Sequence, residues 1–174
     1  MTALAPVTYT PIGLIHSSFS ELAGMPIPWT APLQSRQAVA AQGITGWIDL
    51  DPTYRAGLQD LDGFSHLYLI YHLHRSTPGS LTVVPFMDEQ PRGIFATRSP
   101  KRPNAIGISI VRLISIQEAR LDIEDVDVVD GTPLLDIKPY VPALDVRDAK
   151  RIGWFEGRVQ RVGQARGPAG RGVS

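Results

Sequence analysis

The stretch that decides the fold is FSHLYLIYHLH, residues Phe64–His74. Aromatic and aliphatic side chains dominate it, and half-buried strands favour this composition. A polar turn that includes Arg75 and Ser76 follows directly. The stretch therefore predicts the strongest β-strand of the chain.

Further strands are predicted on both sides of this one, because 16 glycines and 15 prolines cut the chain into short pieces. No 15-residue stretch has the pattern of an amphipathic helix. Strands at this spacing, separated by turn signals, favour an all-β barrel or sandwich with short helical or loop excursions. The predicted strands are the end of Ala3–His16, then Gly46–Leu50, Leu81–Phe86, Gly93–Ala96, Ile106–Ile116, Arg120–Val129 and Pro133–Tyr140.

A single domain is expected over residues 5–160, since no internal repeat or second composition class is present. Proline-rich Ser18–Gln34 predicts a loop, Gln37–Gln42 a helical turn, and Asp51–Asp62 a turn-rich connector. Residues 163–174, rich in glycine and poor in apolar side chains, predict a flexible tail.

The composition of the chain excludes several kinds of site and of protein. The 174 residues include no cysteine, which excludes disulfides and thiolate zinc sites and fits a reducing compartment such as the cytoplasm. The first residues lack the pattern of a signal peptide, and no run of about 18 apolar residues predicts a membrane span. Net charge is zero, from 17 basic and 17 acidic residues. This balance weighs against a large nucleic-acid footprint but leaves a local basic patch open.

Three histidines, His66, His72 and His74, share one parity of the predicted strand. His66 and His72 would lie about 20 Å apart at ~3.3 Å per residue, and no carboxylate nearby in sequence completes a ligand shell. We therefore expect no metal site, and of the three we expect His74 to lie nearest a ligand. The chain also lacks G-x-G-x-x-G, G-x-x-x-x-G-K-[ST] and G-x-S-x-G, so nucleotide-binding and nucleophile-elbow motifs are absent.

The loop in GIFATRSPKRPNAIGISI, Gly93–Ile110, is both polar and stiff. Pro100 and Pro103 fix φ and remove two backbone donors. Arg98 offers a planar donor fork for carboxylates or phosphates, and Asn104 offers a donor and an acceptor. From composition alone, a binding loop and a solvated hairpin connection are equally open.

A second polar stretch is DVVDGTPLLDIKPY, Asp127–Tyr140. Asp130-Gly131 is a strong turn signal. Asp136, Lys138 and Tyr140 alternate, so they are predicted to share one strand face. They suit proton chemistry, although an ion pair beside a core tyrosine is the favoured interpretation from these residues alone.

Four segments share their order and spacing with one known family. They are Arg36-Gln37, LDGFSHLYLIYHLH at Leu61–His74, GIFATRSPKRPNAIGIS at Gly93–Ser109 and DVVDGTPLLDIKPYVP at Asp127–Pro142. Over roughly residues 8–145 the chain resembles the TsaA-like (YaeB/TrmO) family. That resemblance implies a single antiparallel β-barrel, a homodimer, and an S-adenosylmethionine-dependent methyltransferase. The expected acceptor is N6 of threonylcarbamoyladenosine 37 in the anticodon loop of tRNA.

The resemblance also implies which residues bind the donor. Ser35, Tyr68 and Ala105 depart from the family pattern, which has proline, tryptophan and proline there. The implied donor residues are Arg36, Gln37, His74, Arg75, Arg98, Ile108, Val128, Val129, Asp130, Gly131 and Thr132.

On this reading the stiff loop is a preformed wall of the donor pocket, where Arg98 meets the donor's carboxylate. Lys101, Arg102, Asn104 and Lys138 are expected to bind the acceptor, with the basic C-terminal residues meeting phosphates. Asp136 or Tyr140 would accept or relay the proton that the acceptor nitrogen loses.

Three alternatives stay open. The chain could methylate another RNA or a small molecule. It could be a non-enzymatic S-adenosylmethionine-binding regulatory protein. A plain β-barrel interaction module is the least favoured alternative.

Overall fold

The computed structural model describes residues 5–21, 43–77, 79–85 and 88–158, and within them six antiparallel strands close into a barrel. The strand order around the barrel is β1-β2-β7-β6-β3-β8, and β8 pairs back onto β1. A separate two-stranded ribbon pairs β4 with β5. The strands are β1 Gly13–His16, β2 Thr45–Leu50, β3 His66–His72, β4 Thr82–Val83, β5 Arg92–Gly93, β6 Ile106–Gln117, β7 Arg120–Glu124 and β8 Thr132–Pro139.

Alternation along the strands fills the barrel interior. In β3, Leu67, Leu69 and Tyr71 are buried, while the intervening residues face outward. Strand residues point to opposite faces in turn, so a closed sheet needs apolar residues at every second position. The rest of the interior consists of Ile15, Ile48, Leu50, Val111, Leu121, Ile123, Val126, Val128 and Leu134.

A bulge in β8 resets this alternation. Ile70 pairs with Asp136, whereas the next residue of β3, Tyr71, pairs with Leu134. Leu135 is therefore an extra residue, and the parity of β8 changes across it. Leu134 faces the core on one side of the bulge, and Asp136 shares the outward face of Ile70 on the other.

The helical pieces are short. The only α-helix in the described ranges is Pro142–Asp145, and 3₁₀ turns cover Pro52–Leu58, Leu61–Gly63, Ile94–Ala96 and Gly153–Phe155. Asp51 caps the first of these turns, accepting from Thr53 N at 2.9 Å and Thr53 Oγ1 at 2.6 Å. None of these helices is long and apolar enough to cross a membrane.

The barrel and its antiparallel strands are confirmed, but three predicted strands are wrong in extent. Predicted Gly93–Ala96 is strand only at Gly93, because Ile94–Ala96 forms a 3₁₀ turn closed by Thr97 N donating to Ile94 O. Predicted Arg120–Val129 ends at Glu124, because Asp125 adopts a φ of 66° and leaves the ladder. Within predicted Leu81–Phe86, only Thr82–Val83 is strand, and Phe86 lies outside the described residues.

The other predicted elements that the structure describes lie closer to their observed bounds. Phe64–His74 forms a strand over His66–His72, and the connector Asp51–Asp62 contains 3₁₀ turns. The predicted helical turn at Gln37–Gln42, most of the loop Ser18–Gln34 and the tail 163–174 lie outside the described residues.

The strand registers define two ends of the barrel. We call the site end the one where His16, Thr45, His72, Ile106, Glu124 and Thr132 lie. The opposite, hairpin end carries Gly13, Leu50, His66, Gln117, Arg120 and Pro139.

Candidate functional site

The polar loop between the turn Ile94–Ala96 and β6 is held in shape by hydrogen bonds within it and to the end of β3. Ser76 Oγ donates to Pro100 O at 2.7 Å, and Thr97 Oγ1 donates to Ile94 O at 2.9 Å. Leu73 N donates to Ala105 O at 2.7 Å and ties the loop to the end of β3. The loop is therefore preformed, which lowers the entropy lost when it binds a ligand.

Arg102 braces this loop from within. Its guanidinium donates to Thr97 O at 2.8 Å and to Ile94 O at 3.2 Å. The stem of Lys101 packs against Gly79, where an added Cβ would lie 2.9 Å from Lys101 Cβ. Asn104 and Arg98 are exposed. Arg102, which was predicted to bind the methyl acceptor, therefore also stabilises the conformation of the loop.

The second polar stretch forms a buried corner, Val126–Thr132. Val126, Asp127, Val128 and Val129 are all buried, and Gly131 takes a φ of 73°, which favours glycine. Thr132 Oγ1 donates to Val129 O at 2.6 Å and closes the corner.

Asp130 anchors the corner to β1. His16 Nδ1 lies 3.0 Å from Asp130 Oδ1, and Ser17 N donates to the same oxygen at 3.2 Å. Desolvation acts to raise the pKa of Asp130, but these hydrogen bonds and the nearby imidazole hold that pKa below its usual value. The carboxylate is therefore ionised and positioned at neutral pH.

A buried chain of hydroxyls and a carboxyl joins the two polar stretches. Tyr71 Oη lies 2.9 Å from Ser109 Oγ, which donates to Asp127 Oδ1 at 2.6 Å. The Tyr71 ring covers Gly107, where an added Cβ would lie 2.1 Å from the ring. Any side chain at residue 107 would therefore displace the tyrosine that is hydrogen-bonded to Ser109.

The charge of Arg98 acts on the tyrosine of this chain. Burial is the main cause that raises the pKa of Tyr71 above its usual value, while the Arg98 guanidinium opposes the rise. Burial also raises the pKa of Asp127 to about 7. The loop of Arg98 is also tied to the end of β3 through Leu73 and Ser76, which places it at the site end with the corner.

The segment that follows β1 bridges the corner and the end of β3. Ser17 Oγ donates to Val128 O at 2.6 Å, and Asp130 N donates to Phe19 O at 2.8 Å. Arg75 donates to Ser20 O at 2.7 Å. Arg75 therefore belongs to the site end. Its neighbour His74 has a pKa lowered by desolvation and by the charges of Arg75 and His72.

Four predicted site residues lie elsewhere, three on the outer wall of the barrel and one at its hairpin end. Ile108 is 48% exposed on β6. Asp136 and Lys138 form an exposed ion pair at 2.8 Å. Tyr140 lies at the hairpin end, with its ring 5.5 Å from that of Tyr68, so it is not the core tyrosine of the favoured interpretation.

The remaining predictions fall outside what the structure describes or are not tested by it. Arg36 and Gln37 lie outside the described residues. No cluster of three or more histidines, cysteines and carboxylates suited to a metal ion occurs in the described parts of the chain.

Sequence reasoning missed Tyr71, Ser109 and Asp127 as a connected group. Strand parity was an available signal, since Tyr71 and Ser109 both face the interior. Asp127 was hidden because the apolar run around it predicted a longer β7.

Fold and candidate site together define a class: closed antiparallel barrels in which two polar stretches of chain meet at one end. Within that class, the chain belongs to the family described as tRNA-methyltransferase O N-terminal domain, whose model matches residues 14–146.

Named relatives and solved structures agree with this assignment. The chain is 50% identical over 160 residues to a probable S-adenosyl-L-methionine-binding protein of Pyrococcus abyssi, covering 92% of this chain and 82% of the relative. It is 34% identical over 140 residues to the tRNA (adenine(37)-N6)-methyltransferase of Rattus norvegicus, covering 78% of this chain and 31% of that protein. A crystal structure of TrmO from Pseudomonas aeruginosa superposes with a TM-score of 0.69 at 34% identity, over 88% of this chain and 63% of that one. The chain thus spans less than two thirds of the rat enzyme and of the TrmO structure.

Proposed function

We propose that this chain is an S-adenosylmethionine-dependent methyltransferase that binds its donor at the site end of the barrel. The observation that carries the proposal is the hydrogen bond from Ser109 to Asp127, which joins the polar stretch that contains Arg98 to the Val126–Thr132 corner. Relatives named as S-adenosylmethionine-binding proteins and methyltransferases support the choice of donor.

The residues present fit such a donor. The exposed guanidinium of Arg98 suits its carboxylate, since a planar fork binds a carboxylate at two points. The corner offers the backbone around Gly131 to a ribose or a base, and the ionised Asp130 favours the cationic sulfonium. The donor supplies an activated methyl group, so the protein needs only to align it with the acceptor nitrogen and accept one proton.

The acceptor is N6 of adenosine 37 in tRNA, carrying the threonylcarbamoyl group. Relatives from rat and mouse named as tRNA (adenine(37)-N6)-methyltransferases support this position. A base in an anticodon loop is unpaired and enters a pocket at little cost. Lys101 and Asn104 lie in the loop beside the donor and are proposed to bind this RNA.

A homodimer would bring the outer wall into the site. The wall exposes a row of isoleucines on β6, Ile106, Ile108 and Ile110, beside Tyr68 and Ile70 of β3. An exposed apolar row of this kind favours association with another apolar surface. If the site end of a second copy covers it, Ile108, Asp136 and Lys138 would join the partner's donor pocket. Sedimentation velocity of the protein and of its Ile108→Glu variant tests this, because a monomeric wild type would contradict it.

One experiment separates the candidate functions. Titration calorimetry with S-adenosylmethionine tests the donor, and incubation with donor and unfractionated tRNA, followed by nucleoside mass spectrometry, tests the acceptor. Absence of donor binding would overturn the proposal. Binding without any methylated nucleoside would favour a regulatory protein or a small-molecule acceptor.

The donor site has a matched pair of variants. Arg98→Ala is expected to weaken donor binding about 10- to 150-fold, the range for a hydrogen bond to a charged group. Lys101→Ala removes a cation three residues away and is expected to change the dissociation constant less than about threefold. Equal losses in calorimetry would show that Arg98 has no special place in the pocket.

A further inference from the structure

Positive charge is concentrated on two segments of a chain whose net charge is zero. Residues 88–104 carry Arg92, Arg98, Lys101 and Arg102 against two carboxylates. Residues 147–158 carry Arg147, Lys150, Arg151 and Arg158 against two more. The two segments therefore total eight cations and four anions, a net charge of +4.

These two segments are joined to each other. Trp154 Nε1 donates to Ala96 O at 2.7 Å. Asp88 lies between them, 2.7 Å from Arg92 and 3.5 Å from Arg158. The segments thus form one basic surface, which includes the loop of Arg98.

An exposed aromatic ring stands in this surface. Phe95 is 76% exposed in the 3₁₀ turn Ile94–Ala96. The Arg102 guanidinium carbon lies 5.9 Å from the ring centroid, and that guanidinium is itself fixed by Thr97 O and Ile94 O. The ring therefore stands on a braced turn with a cation beside it.

A lone exposed phenylalanine would need no explanation. A fixed, exposed ring on a basic surface matches the pattern by which proteins hold single-stranded nucleic acid, since bases stack on the ring and cations meet the phosphates. Phe95 is also three residues from Arg98, so their Cα atoms are at most about 11 Å apart. A base stacked on Phe95 would lie within reach of a donor held by Arg98.

We propose that Phe95 stacks on an unpaired base of the acceptor RNA and that residues 88–104 and 147–158 form the surface that holds its backbone. The inference rests on the proposed function and names the part of the site that receives the acceptor. The partner is a single-stranded loop of RNA, because charge complementarity and the exposed ring together suit it.

The test compares substitutions at Phe95 with a matched control. Phe95→Ala is expected to weaken binding of a fluorescent anticodon stem-loop RNA about 5- to 150-fold, as loss of one stacked base predicts. Phe95→Leu keeps an apolar side chain without a ring and is expected to lose most of this affinity, whereas Phe95→Trp is expected to retain it. Tyr54→Ala removes another exposed ring, in the turn Pro52–Leu58 at the hairpin end, and is expected to leave RNA binding unchanged.

The readouts keep this inference separate from the proposed function. Donor binding by calorimetry is expected to be the same in all four variants, since none removes a proposed donor ligand. If wild type binds donor and methylates tRNA but Phe95→Ala binds RNA normally, the stacking proposal is overturned and the proposed function stands. If Phe95→Ala changes the sedimentation coefficient and not RNA affinity, the ring belongs to an interface between two copies of this chain.

Discussion

The two ends of the barrel are closed by different chemistry. At the hairpin end, Leu58, Leu61, Ile116 and Ala119 pack onto the core. At the site end, the interior is closed by Tyr71, Ser109 and Asp127, which are buried but polar. Apolar closure stabilises a fold directly, whereas a buried carboxyl is tolerated only where hydrogen bonds satisfy it. The difference indicates that the hairpin end is closed by apolar packing alone, whereas the site end adds a buried polar group to the apolar residues Val126 and Val128.

The largest expected effect tests the apolar part of this comparison. Leu67→Ala removes a fully buried side chain of β3 and is expected to lower the free energy of unfolding by about 2–5 kcal/mol. Urea denaturation measures this loss. Donor affinity of the folded variant is expected to stay within about twofold, because a cavity in this region leaves the site end unchanged. A large loss of donor affinity in a folded variant would contradict the division between the two ends.

The next largest expected effect is a pH dependence of stability, which tests the buried polar residues at the site end. Burial raises the pKa of Asp127 to about 7 in the folded protein, from its ordinary value of 3.8. The folded state then binds more protons than the unfolded state between these values, so Asp127 lowers stability as pH rises from about 4 to about 7. The full shift corresponds to roughly 4 kcal/mol.

Asp127→Asn isolates this contribution. Asparagine keeps an oxygen for Ser109 but does not titrate, so the stability of the variant relative to wild type is expected to rise across that pH range. The comparison is needed because the lowered pKa of His74 acts in the opposite sense, raising stability with pH up to about 6.5. Urea denaturation of both proteins at pH 5 and pH 8 gives the answer. Parallel pH profiles would show that Asp127 does not titrate there.

The smallest expected effect concerns the outer wall. Lys138→Ala breaks an exposed ion pair with Asp136 and is expected to change stability by at most about 1 kcal/mol. Asp136→Asn is expected to be equally mild in thermal denaturation, yet to slow tRNA methylation if Asp136 accepts the proton. Normal methylation kinetics in a folded Asp136→Asn variant would remove this residue from the proposed mechanism.

Much of the barrel was predictable, because strand periodicity and turn residues are local signals. FSHLYLIYHLH was expected to be the strongest strand, and it forms β3, which pairs with both β6 and β8. The Asp130-Gly131 turn was likewise expected from two residues, and the positive φ of Gly131 agrees with it. The stiffness of the loop followed from its two prolines.

Two of the errors share one physical origin, which is that pairing partners are not local. The run Val126–Val129 is apolar enough to continue β7, but it turns into the barrel end because Asp125 leaves the ladder. Asp136, Lys138 and Tyr140 were predicted to share a strand face, but strand parity alone could not show that this face is the outer wall rather than the site. Their placement depends on the bulge at Leu135, which only the register with β3 reveals.

The bulge at Leu135 means that the faces of β8 depend on the number of its residues as well as on their types. Deleting Leu135 would remove the bulge and leave Leu134 and Asp136 opposite the adjacent residues Tyr71 and Ile70, so the inward and outward faces of β8 would be kept. A one-residue deletion between Asp136 and Pro139 would instead carry the residues beyond it to the opposite face, so a redesign of the outer surface should preserve the residue count there.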